Sequence, residues 1–146
     1  MKKILIKSMY SDLWTTVNNQ AILIFRIAVS LELIVVHGLK KIGIGTVAAE
    51  VVPNPLDIPE TLNQLFAVSA NLVFPLFIIA GLFTRIATIP ILAVTLTGYF
   101  VVHGNDSLIV RDVPFMFSVA FLFIAAVGPG RFSLDYFFSK SKYSRP

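Results

Sequence analysis

The sequence predicts an all-α integral membrane protein, a four-helix bundle with its N- and C-termini cytoplasmic. Three observations lead there. Charged residues make up 14% of the 146 positions and apolar ones 56%, whereas soluble domains run near about 25% charged. Four apolar runs approach the roughly 20 residues that a helix needs to cross a bilayer. Lys and Arg are divided unevenly between the segments that join those runs, as a fixed orientation in a membrane requires. With 13 Phe against 8 acidic residues, much of the exterior must face lipid. No water is available there to bond the backbone, so the runs must be helices.

Residues 1–20 read as an interfacial N-terminal segment. Lys2 and Lys3 resemble the start of a secretory signal, but Lys7, Asp12 and Asn18-Asn19-Gln20 interrupt the apolar stretch that a cleaved signal needs. Tyr10 and Trp14 suit the headgroup layer. The first run covers Ala21 to Leu39 and contains Arg26 and Glu32. A long connection over residues 40–61 follows, with a Pro53-Asn54-Pro55 turn. Pro59 and Glu60 begin the second helix, whose apolar run is Leu62 to Phe83. A tight link at Thr84-Arg85 leads to the third run, Ile86 to Val102. The fourth extends from Val113 to Val127, with Asp112 as its capping residue beside Pro114. Pro75 and Pro90 lie within spans and should kink them, freeing carbonyls for neighbours to satisfy. Residues 21–138 thus form the transmembrane domain, and residues 139–146 a basic tail.

Orientation follows from counting cations. With the N-terminus inside, that side holds Lys2, Lys3, Lys7, Arg85, Arg131, Lys140, Lys142 and Arg145, against Lys40, Lys41 and Arg111 outside. The same placement explains the net charge of +4. The cations flank apolar spans rather than forming a basic face with stacking aromatics, so no nucleic-acid partner is expected. The partner that the composition demands is the lipid bilayer. Cysteine is absent, which excludes disulfides, thiolate metal sites, iron–sulfur clusters and dithiol catalysis by this chain.

Polar residues inside the spans need a reason, because an ionised side chain there costs about 2.5–3.5 kcal/mol on insertion scales. Arg26, Ser30 and His37 share a helical face, while Glu32 points roughly 120° from Arg26. Arg26 and Glu32 should therefore reach different neighbours. Together with Asn71 they form a candidate intramembrane polar network. His37 and His103 end the first and third spans on the outer side. With Lys40, Asp106, Arg111 and Asp112 they form a candidate outer-face site, able to hold a quinone head group or relay protons. Two histidines at helix ends do not make a haem site expected. The bland reading is that such residues meet water and headgroups.

Several motifs resemble those of the DoxX family. His37-Gly38-Leu39-Lys40-Lys41, following Arg26 in the first span, looks like the family's opening. Gly81-Leu82-Phe83-Thr84-Arg85 resembles its second-span ending, and Gly128-Pro129-Gly130-Arg131-Phe132-Ser133-Leu134-Asp135 its closing signature. The resemblance spans residues 20 to 138. Where the family often has Glu, fourteen residues before Arg85, this chain has Asn71. The resemblance implies a small bacterial or archaeal four-helix protein of the plasma membrane, and a membrane subunit of a quinone-linked redox system with an oxidoreductase partner subunit. Two other readings are a non-catalytic scaffold for a partner enzyme and a small transporter, which would need a homo-oligomer. By its own chemistry the closing motif is an anchor: Gly128-Pro129-Gly130 ends the fourth helix, and Arg131 is spaced to pair with Asp135.

Overall fold

The computed structural model describes the backbone of residues 2–143 and the side chains of residues 16–140. The side chains of Lys2, Lys3, Lys7, Tyr10, Trp14 and Lys142, and the whole of Arg145, lie outside the described residues. Four helices are long and apolar enough to cross a bilayer. These are span 1 (Thr16–Lys41), span 2 (Glu60–Ala80), span 3 (Thr84–Val102) and span 4 (Leu108–Val127). A further helix, Leu134–Tyr143, follows them. No strand occurs among the described residues.

Span 1 continues a helix that begins at Lys2, so the N-terminal segment and the span are one rod. Sequence explains this, since neither Gly nor Pro occurs before Gly38. Two boundaries differ from those expected. The fourth helix starts at Leu108, where Ser107 is extended and its carbonyl accepts the N–H groups of Val110 and Arg111 at 3.0 and 3.2 Å. Asp112 is thus an exposed residue in the second turn and not a cap. Charges at the membrane surface end an apolar run without ending a helix. Likewise, the link between spans 2 and 3 is Gly81-Leu82-Phe83, while Thr84 and Arg85 open span 3.

Three spans change from α to the wider π winding. The segments are Leu33–Gly38 in span 1, Ser69–Val73 in span 2 and Gly98–Val102 in span 3. Pro75 follows the second segment and has no N–H to offer. There the Phe74 N–H reaches back to the Ser69 carbonyl, five residues earlier. Insertions of this kind are rare and bend a helix locally.

Lipid is as apolar as leucine, so packing and interhelical hydrogen bonds hold the spans together. Leu33, Ile78, Ala87, Ile91, Phe121 and Ile124 form the buried apolar centre. Ser118 donates to Thr95 Oγ1 at 2.9 Å, joining span 4 to span 3. Spans 1 and 2 approach closely at Gly38, where a Cβ would stand 2.6 Å from the Asn71 carbonyl oxygen. The exterior carries Ile24, Leu65, Leu76, Ile89, Phe100 and Leu122, all exposed.

Candidate functional site

Polar side chains gather at both ends of the bundle, and the two ends have different characters. At the end nearer the termini, the closing motif folds back onto the spans. Arg26 is 1% exposed and its Nη2 donates to the Phe132 carbonyl. Asn19 Oδ1 accepts the Arg131 N–H at 2.8 Å. Asp135 donates its own N–H to the Gly81 carbonyl at 2.9 Å. Its carboxylate accepts the N–H groups of Phe83 and Thr84 at 2.7 and 3.0 Å.

These contacts overturn the expected Arg131–Asp135 pair, and the reason is electrostatic. Span 3 begins with unbonded N–H groups at the positive end of its dipole, a better partner for a carboxylate than a flexible exposed arginine. Asp135 caps that helix from 51 residues downstream. It also holds Phe83 at φ 47°, left-handed backbone that a side chain seldom adopts. Gly81, at φ 69°, is the other left-handed residue of this turn. A methyl there would overlap the Arg26 guanidinium and stand 2.5 Å from Ser133 Cβ. Arg26 Nε and Nη1, Ser30 Oγ and Thr84 Oγ1 are buried without a hydrogen-bond partner among the described residues. This end is a clasp built on a buried cation.

The opposite end encloses space. A cavity of about 560 Å³ lies between spans 1, 2, 3 and 4, with His37, Asn71 and His103 in its wall. All three π segments contribute to it, through Leu33 and His37, through Asn71, and through Gly98 and Val102. Phe66 and Phe117 supply aromatic faces, and the His37 ring stands edge-on to Phe117 with centroids 5.2 Å apart.

The connection over residues 40–61 folds across the mouth. Val52 is buried there, Asn63 Nδ2 donates to the Pro53 carbonyl at 3.2 Å, and Gln64 Nε2 to the Lys41 carbonyl at 3.2 Å. Lys41 pairs with Glu50 at 3.4 Å. His103 Nδ1 and Asp106 Oδ2 share a hydrogen bond of 2.8 Å, which leaves Nε2 for a ligand.

The sequence-derived candidates therefore divide. His37 and His103 share one cavity, with Asp106 orienting the second. Arg111 stacks over Tyr99 at 4.1 Å and donates to the Gly104 carbonyl, bracing the rim. Lys40 and Asp112 are exposed and do not line the cavity. Arg26, Glu32 and Asn71 do not come together. Arg26 serves the clasp, and Asn71 lines the cavity and donates to the Ala67 carbonyl at 2.7 Å. Glu32 is exposed beside a separate groove between spans 1 and 4. Lys41, Asn63 and the two phenylalanines join the cavity unforeseen. Asn63, polar in the first turns of an apolar helix, was the one signal available.

No curated protein and no solved structure matches the chain. The DoxX family model matches residues 21–104, a stretch that contains all three π segments and most of the cavity wall but stops before the closing motif. On that match, the chain is a multi-pass membrane protein belonging to the DoxX family.

Proposed function

We propose that this protein is a membrane subunit of a quinone-linked redox system in a bacterial or archaeal plasma membrane, with the cavity on the outer side. One observation carries the reading: His37 of span 1, Asn71 of span 2 and His103, just past the end of span 3, line a single largely apolar cavity. A quinone head group is a flat apolar ring with two carbonyl acceptors. Phe66 and Phe117 suit its faces, and the imidazoles, the Lys41 ammonium and the Asn71 amide suit its oxygens. Bound there, a quinone would supply a two-electron, two-proton acceptor. This chain's own work is to hold the ring, cover it with residues 52–58, and present His103, oriented by Asp106, to its oxygens. Cysteine is absent, so electrons come from a partner oxidoreductase subunit.

The test is equilibrium binding of a short-chain prenylated benzoquinone to the purified protein in detergent. Saturable binding is expected. His37→Ala should raise Kd several-fold, as losing one hydrogen bond of about 1 kcal/mol does. Asp112→Ala, outside the cavity, should leave it unchanged. Non-saturable uptake, or equal Kd for His37→Ala and the parent, would overturn the reading in favour of a scaffold.

A further inference from the structure

The groove between spans 1 and 4, of about 1110 Å³, lies apart from the cavity that holds His37 and His103 and shares only Phe117 with it. Its walls have a shared rhythm. On span 1, Asn18, Ala21, Phe25, Ala28 and Glu32 line it at alternating spacings of three and four. On span 4, Met116, Ala120, Phe123 and Val127 do the same. Two such stripes facing one trough are the geometry that receives a further helix, side chain into gap. Ala21, Ala28 and Ala120 keep the floor low, which lets helix backbones approach closely in a membrane.

Glu32 limits what the occupant can be. It is exposed in the interior of span 1 and makes no hydrogen bond or ion pair among the described residues. A lipid tail in the groove would leave that carboxyl facing hydrocarbon, an expensive arrangement. Arg26, the cation nearest in depth, is buried and committed to the clasp. Among the residues that line the groove, Asn18 and Glu32 alone have side chains able to make a strong hydrogen bond.

We infer that the groove is a dimer interface, filled by span 1 of a second copy of this chain. Two copies in one membrane run parallel about a twofold axis along its normal, so identical residues meet at identical depth. Glu32 then faces the second Glu32. Each carboxyl group then meets in the other the hydrogen-bonding partner that it lacks in the monomer. The two Asn18 amides meet in the same way nearer the membrane surface.

Because the chain has no cysteine, single introduced cysteines report without background. Membranes containing Ala21→Cys or Ala28→Cys, oxidised with copper phenanthroline, should give a band at twice the chain's mass. Leu76→Cys, exposed on span 2, should give none. In the Ala28→Cys chain, Glu32→Leu should lower the dimer fraction about tenfold, while Glu32→Gln, which can still donate and accept, should change it less than about twofold. Absence of the band from both alanine positions would overturn the dimer. So would an adduct with a different protein, which would make the occupant a partner's helix. A full band in Glu32→Leu would overturn the Glu32 contact. The cysteine readings use the chain with Glu32 intact, so they stand even where Glu32→Leu fails to fold.

Discussion

Arg26 shows how a residue can be conspicuous in sequence while its partner is not. A cation in the first span demands satisfaction, and helical spacing correctly sets it apart from Glu32. Its partner is the carbonyl of Phe132, 106 residues away, and no local pattern could reveal that. Arg26→Ala should destabilise the protein by about 1.5–3 kcal/mol, the worth of a hydrogen bond to a charged group. A thermal melt in detergent and protease sensitivity of residues 131–143 would check it. Arg26→Lys should fall between, since it keeps the charge but loses the fork. An unchanged melt in Arg26→Ala would contradict the clasp. His37 is the converse case. Regular α spacing places it on the face of Arg26 and Ser30, both buried at the clasp end. The π segment Leu33–Gly38 contains it, and the ring stands in the cavity wall with Asn71 and Phe117. A single inserted residue per turn leaves no compositional trace, which is why the cavity's membership was only half legible.

The elements themselves were far easier to read. Hydrophobic runs locate four helices because lipid permits no other backbone arrangement, and Pro59 with Glu60 marks the start of span 2 as expected. What failed was reading charge as a boundary, at Arg111 and Asp112. The closing motif was read as an anchor whose charges pair locally, and that pairing is not what the structure has. Its carboxylate instead stabilises the start of span 3 and the turn before it. Asp135→Ala should cost roughly 0.5–2 kcal/mol, the range for losing a cap. Asp135→Asn should cost less, because it keeps one acceptor oxygen. Hydrogen exchange at the Phe83 and Thr84 amides would resolve the effect, and both should exchange faster in Asp135→Ala. Unchanged protection at those two amides would show that the cap is not what holds the turn.

At the scale of the molecule, the bundle has a clasped end and a hollow end, and the cation count predicts that the clasped end faces the cytoplasm. A reporter enzyme that works only outside the membrane should therefore be active when inserted at Val47, which is fully exposed in the 40–61 connection. The same reporter should be silent when fused after Pro146. The opposite result would invert the bundle and place the cavity inside. The clasp also bears on how the protein is made. Its cation belongs to span 1, and the carbonyl that receives it lies 106 residues later. At about 5–20 residues per second, the nascent helix holds an unanswered charge for about 5–20 s. Only translation through Phe132 supplies that carbonyl, so any chain that stalls earlier leaves the guanidinium without it, and the bundle cannot be fastened until its last span has been made.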